Sequence, residues 1–295
     1  MRTDKRCSWV LTLLTALTFT SNVSFAATNA CGDEKTPCPV DGGSYHLAVP
    51  DGAPGPSGYP VLIHLHGWAS SGRAVLRNKQ LITTANQRGY IVIAPTGQKS
   101  PWGKRDWSVR DGADRPRRDE VGFLKKVLND VAGRIPVDSE NVLLSGFSRG
   151  GSMVWDIACS APETFKAYAP LAGGFWAPLP QRCAGPARLF HTHGWADGTV
   201  PLEGRRLGRS RMVQGDIFAG LRIWRQTNGC SRRVADERIR DGDRWTRNWT
   251  SCSGGKDITL MLHPGGHGMP PGWVNAVLDW FEGKKRSTKK ASVGK

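Results

Sequence analysis

The sequence predicts one α/β domain with a mostly parallel sheet covered by helices on both faces. Three observations predict it. Short apolar runs rich in β-formers alternate with helical patterns along the chain. The run Val61-Leu62-Ile63-His64-Leu65 is apolar almost throughout, as a strand buried on both faces has to be. The length, 295 residues, suits a single α/β unit.

In chain order, strands are expected at 61–65, 90–94, 142–145, 168–171, 188–191 and 258–262. Each run is short and dominated by β-branched, aromatic or leucine residues. Helices are expected at 74–88, 120–134, 150–161, 211–228 and 273–281, where apolar residues recur at three- and four-residue spacing. Residues 27–58, rich in Gly, Pro and Asp, read as an N-terminal arm leading into the first strands. The long polar segment 95–118 reads as a loop over the functional site. No internal repeat interrupts this pattern.

The two ends read differently. Residues 1–26 carry Arg2, Lys5 and Arg6, then an apolar run from Trp9 to Phe19, then Ser24-Phe25-Ala26. That is the pattern of a secretory signal peptide cut after Ala26. The alternative, an uncleaved anchor, needs an apolar run of ~20 residues, longer than this one. Residues 284–295 hold six basic residues and no acid and read as a disordered basic tail. Residues 27–283 are left as the folded α/β domain, expected to be secreted or periplasmic, monomeric and without a membrane span.

Without the signal, six cysteines remain, an even count that in an exported chain implies disulfides. Pairing sequence neighbours gives Cys31 with Cys38, Cys159 with Cys183, and Cys230 with Cys252. Metal binding is disfavoured, since no Cys-x-x-Cys pair exists. The formal net charge is +16. Such an excess suits an acidic polymer or simple solubility, and no nucleic-acid-binding motif accompanies it.

Gly146-Phe147-Ser148-Arg149-Gly150 is a Gly-x-Ser-x-Gly pattern between an apolar strand and a helix. On a sharp strand-to-helix turn, small neighbours let a serine hydroxyl stand clear of the sheet, and the helix N-terminus favours developing negative charge. A serine needs a base, and histidine fits. Of the histidines after Ser148, His267 lies in the flexible Gly-rich loop between the last strand and last helix, within reach of the sheet top. The acid has to lie between them. Asp197 follows a strand directly, where α/β sites form, with Glu203 as the alternative.

The loop after the first central strand, His64-Leu65-His66-Gly67-Trp68, and the residue after the nucleophile are placed to supply oxyanion-binding backbone N–H groups. These are the amides of Trp68 and Arg149, with His66 bracing the loop. The chain has twelve tryptophans. Trp68, Trp102, Trp107, Trp176, Trp195 and Trp273 fall in expected loops, and Trp68, Trp102, Trp107, Trp195 and Trp273 are taken as substrate-gripping candidates, with core covering as the alternative.

The ordered set His66-Gly67, Asp119 to Leu124, Gly146 to Gly151, Ala169 to Gly173, His193 to Pro201 and Gly266-His267 resembles the polyhydroxybutyrate depolymerase and feruloyl esterase group of secreted α/β-hydrolases. The resemblance spans about residues 40–282. It implies the α/β-hydrolase fold, a Ser148-His267-Asp197 triad, an ester substrate (an aryl ester, a polysaccharide-linked ester or a polyester) and no cofactor. Trp68 and Arg149 depart from the residues expected beside the oxyanion and put the substrate in question. A serine peptidase or acyltransferase, or a non-catalytic polysaccharide-binding protein on a hydrolase scaffold, are the competing readings.

Overall fold

The computed structural model describes residues 31–100, 103–112, 117–208 and 212–284. The expected signal peptide, Trp102 and the tail beyond Lys284 lie outside the described residues.

The chain opens with strands β1 (Cys38–Val40), β2 (Gly43–Ala48) and β3 (Tyr59–Leu65), then helices α1 (Gly72–Leu76) and α2 (Lys79–Gln87). Next come β4 (Ile91–Thr96), the two-residue strands β5 (Gln98–Lys99) and β6 (Arg105–Asp106), α3 (Glu120–Ala132), β7 (Val137–Phe147) and α4 (Arg149–Ser160). There follow β8 (Ala167–Leu171), β9 (Leu189–Gly194), the short β10 (Arg205–Arg206) and β11 (Val213–Gln214), and α5 (Ile217–Thr227). The chain then runs through β12 (Glu237–Asp241), β13 (Arg244–Trp249), β14 (Ile258–His263) and α6 (Trp273–Phe281).

Among the described residues ten strands form one sheet in the order β1-β2-β4-β3-β7-β8-β9-β14-β13-β12. From β4 through β14 every pairing is parallel, while β1–β2 and β13–β12 add antiparallel pairs at the two edges. One face packs against α3, α4 and α5, through Phe123, Val127, Trp155, Ile217 and Trp224. The other packs against α1, α2 and α6, through Val75, Leu81, Trp273 and Phe281. This is the α/β-hydrolase fold. Strands buried on both faces favour apolar residues, and every residue of β4, β8, β9 and β14 is buried, the polar His191, Thr192 and His193 of β9 included. Among the described residues no helix is long and apolar enough to cross a membrane.

The structure corrects several element boundaries. The expected helix over 74–88 is two helices, because Asn78 breaks it and caps the second, accepting from Leu81 N at 3.1 Å. The expected helix over 211–228 starts only at Ile217, capped by Asp216, which accepts from Ala219 N at 2.7 Å. Strand β7 starts five residues earlier than its apolar run, since Val137 pairs with Tyr59. The arm over 27–58 holds an edge hairpin, β1–β2, and the β12–β13 hairpin was not anticipated. The three disulfides join the neighbours expected: Cys31–Cys38, Cys159–Cys183 and Cys230–Cys252.

Candidate active site

Parallel α/β sheets place their sites beyond the carboxyl ends of the strands. Ser148 follows β7, Asp197 follows β9 and His267 follows β14, so three separate loops converge at one edge. Ser148 has φ 57° and ψ −118°, left-handed backbone that a residue with a Cβ adopts only under constraint. Its amide donates to Leu171 O at 2.8 Å, and its carbonyl accepts from Ser152 N at 2.9 Å. The flanking glycines are required by close approach. A Cβ on Gly146 would lie 2.6 Å from Gly150 O, and one on Gly150 would lie 2.2 Å from Leu65 O.

His267 Nε2 lies 2.8 Å from Ser148 Oγ, and its Nδ1 lies 2.8 Å from Asp197 Oδ2. A carboxylate only accepts, so Nδ1–H donates to Asp197 and the bare Nε2 faces the serine hydroxyl. The His267 ring also packs against Phe147, with centroids 4.7 Å apart. Asp197 is buried. Its Oδ1 accepts from Thr199 N at 2.9 Å and Val200 N at 2.8 Å. Burial alone would raise its pKa, but hydrogen bonds from His193, His267 and Val200 N outweigh that and hold the carboxyl well below its usual range. Glu203, the alternative acid, is exposed, and it is Asp197 that bonds His267.

The loop carrying Trp68 lies beside the nucleophile. A Cβ on Gly67 would come within 3.4 Å of Ser148 Cβ. His66 braces this loop: its Nδ1–H donates to Gly67 O at 2.7 Å, and its Nε2 accepts from Gly97 N at 2.9 Å. Burial pushes its pKa down to about 4, so the ring stays neutral. Arg149 opens α4, where the first N–H groups have no partner within the helix.

The side chain of Arg149 is itself informative. It is buried, bonds Asp106 Oδ1 at 2.8 Å and Asp111 Oδ2 at 2.6 Å, and lies over the Trp176 ring, 4.6 Å from its centroid. It ties the segment after β5 to the helix that follows the nucleophile. These partners stand 43 and 38 residues away in sequence, and no local pattern announces such a contact.

The tryptophans divide. Trp68 is 58% exposed and Trp195 45% exposed, both at this edge of the sheet. Two of the substrate-gripping candidates need correction. Trp107 is buried, with its Nε1–H donating to His66 O at 2.8 Å, so it supports the Trp68 loop from beneath. Trp273 is buried at the start of α6, its Nε1–H donating to Thr192 Oγ1 at 2.9 Å. Both are fold residues, because each indole has its face in the core and its N–H engaged by the scaffold. Trp176, also in an expected loop, is buried and donates to Ser152 Oγ at 3.1 Å.

A family profile described as "Putative esterase" matches residues 44–287. The chain is 25% identical over 286 residues to "Probable feruloyl esterase C" of Aspergillus niger, covering 92% of this chain and 95% of that one. It is 25% identical over 248 residues to the protein of the same name from Aspergillus clavatus, covering 81% and 80%. Among solved structures, the acetyl xylan esterase from Aspergillus awamori superposes with a TM-score of 0.58 at 15% identity, covering 82% of this chain and 94% of that one, a likeness of fold.

Proposed function

Because the chain belongs to this esterase family, and so to the carboxylic ester hydrolases, we propose that it is an exported serine esterase. In this reading Ser148 is the nucleophile, His267 the base and Asp197 the acid, and the acyl group is feruloyl or a related hydroxycinnamoyl. The observation that carries the reading is the linked chain Asp197 Oδ2, His267 and Ser148 Oγ, with both links at 2.8 Å. Export is supported by the three disulfides, which persist in oxidising compartments.

The reaction follows from the geometry. His267 Nε2 takes the Ser148 proton as Oγ attacks the ester carbonyl. Asp197 keeps Nδ1 protonated and stabilises the imidazolium. The oxyanion forms between the amides of Trp68 and Arg149 at the N-terminus of α4. His267 then protonates the leaving alcohol, and water, activated by the same ring, releases the acid from Ser148. Hydroxycinnamoyl is favoured over aliphatic acyl groups by two features. The relatives covering most of this chain are named feruloyl esterases, and the exposed indoles of Trp68 and Trp195 offer flat faces to an aryl ring.

The purified protein and its Ser148→Ala variant, assayed on methyl ferulate, p-nitrophenyl butyrate and a hydroxybutyrate trimer, test this. The expected result is hydrolysis lost in the variant, with methyl ferulate the best substrate by kcat/KM. Preference for the trimer would assign a polyester depolymerase instead. Equal, slow turnover by both proteins on all three esters would refute the esterase site and leave a non-catalytic scaffold.

A further inference from the structure

The β12–β13 hairpin extends the sheet past β14, and its register fixes which side chains share a face. Arg238 lies opposite Arg247, and Arg240 opposite Trp245. Directly opposed residues on antiparallel strands project from the same face, as do residues two apart. Arg238, Arg240, Trp245 and Arg247 therefore share one face. The strand acids fall on the other, where Asp241 pairs with Arg244 at 2.9 Å and Glu237 accepts from Asn248 Nδ2 at 2.9 Å.

The charged side chains on this face are thus all arginines, while the other face mixes Arg244 with the two acids. Arg238, Arg240 and Arg247 are exposed, and among the described residues none forms an ion pair; Arg240 Nε donates only to Gly242 O, at 3.2 Å. Like charges directly opposed across strands destabilise a hairpin. Charged residues do blunt a sheet edge against aggregation, but that purpose needs neither an all-arginine face nor exposed indoles.

At the catalytic end of this face, Trp245 is 42% exposed and meets Trp195 edge to face, with centroids 5.1 Å apart and planes at 86°. Trp245 pairs with Leu262, next to the end of β14, and Arg247 pairs with Leu260, further from the catalytic edge. The face therefore starts beside the Asp197 loop and runs away from it, with about 7 Å between successive same-face residues. Between the hairpin turn and the His267 loop, on the side of Asp241 and Arg244, lies a cavity of about 630 Å³ whose walls also include Asp243, His263 and His267.

We propose that this face is a binding strip for a polysaccharide bearing uronic acid carboxylates. Sugar rings pack their C–H faces on Trp195 and Trp245, and carboxylates along the chain pair with Arg238, Arg240 and Arg247. Each part follows from chemistry. An edge-to-face indole pair leaves ring face open, and that face carries the negative end of the quadrupole. Guanidinium matches carboxylate in bidentate geometry. The strip begins at Trp195, two residues before Asp197, so an ester carried on a sugar of the bound chain lies beside the site. The proposal rests on the esterase reading for that last step, while binding itself requires no catalysis.

The test uses the full-length Ser148→Ala protein, so that no ester is consumed, in native affinity electrophoresis through polygalacturonate, neutral hydroxyethylcellulose and duplex DNA. Strong retardation is expected in polygalacturonate alone. The Arg238→Ser/Arg247→Ser pair is expected to weaken it by at least ~10-fold, and Trp195→Ala/Trp245→Ala by a comparable factor. A control pair elsewhere, Lys125→Ser/Arg182→Ser, changes net charge equally and is expected to leave it in place. Circular dichroism melts confirm that each variant is folded. Retention unchanged by the Arg238/Arg247 pair, equal loss in both charge-removing pairs, or equal retardation by DNA would each overturn the strip. A failure of the esterase reading shows up separately, as methyl ferulate hydrolysis by the Ser148→Ala protein.

Discussion

His193 Nε2 lies 3.4 Å from Asp197 Oδ2, the same oxygen that His267 Nδ1 bonds at 2.8 Å. His193 ends a buried chain whose direction is fixed by its first member. Trp155 Nε1–H can only donate, and it reaches His191 Nδ1 at 3.2 Å. His191 Nε2–H must then donate to His193 Nδ1 at 3.1 Å, which leaves His193 Nε2–H shared between Val200 O at 2.7 Å and, more weakly, Asp197 Oδ2 at 3.4 Å. Val200 N in turn donates to Asp197 Oδ1. The chain clamps the turn that holds the acid.

His193→Phe keeps the volume and removes the clamp. The expected effect is a loss of about 10- to 100-fold in kcat/KM from misplacement of Asp197. Stopped assays on methyl ferulate, beside a thermal melt to separate misplacement from unfolding, check it.

Asp197 also carries a pH signature. Its folded carboxyl is held below the ordinary value of 3.8. The stability it contributes is therefore complete above about pH 4 and is lost as pH falls through the lowered folded pKa. Asp197→Asn is expected to be less stable than the parent at pH 7, with the gap closing toward pH 3. Its turnover at pH 7 is expected to fall by about 10⁴-fold, because the amide favours the wrong imidazole tautomer. Urea melts across pH and a rate assay measure the two effects.

Trp107 and Trp195 separate support from substrate contact. Trp107→Phe keeps a buried ring and deletes the bond to His66 O, at an expected cost of about 1–2 kcal/mol in stability. Trp195→Ala removes an exposed ring, so stability is expected to hold within about 0.5 kcal/mol while KM for methyl ferulate rises. Denaturation and steady-state kinetics on both variants check the contrast.

Arg149→Met leaves Asp106 and the fully buried Asp111 side chain without the guanidinium they share. Removing one partner of a buried ion pair costs about 3–5 kcal/mol. Arg117, which also bonds Asp111 at 3.1 Å, places the expectation at the lower end. A urea titration reads the loss.

Much of the site is readable in sequence because it sits where periodic elements end. Ser148, Asp197 and His267 each follow an apolar run that reads as a strand, and their order along the chain restricts which histidine and which acid fit. The β12–β13 hairpin escapes such reading. Its exposed positions are nearly all charged, and Ile239 and Thr246 are too few to mark an apolar face. The fates of Trp107 and Trp273 escape it as well. An indole in an apparent loop looks available until its distant acceptor, His66 O or Thr192 Oγ1, is known. The Arg149 clamp depends on pairings across about forty residues, beyond the range of local patterns.

The most direct test of the central claim is covalent labelling with phenylmethylsulfonyl fluoride, mapped by mass spectrometry and followed by methyl ferulate hydrolysis. One sulfonyl group on Ser148, with activity falling in step with its occupancy, is the predicted result. Full labelling of Ser148 with hydrolysis intact, or inactivation with the label on a different serine, would contradict it.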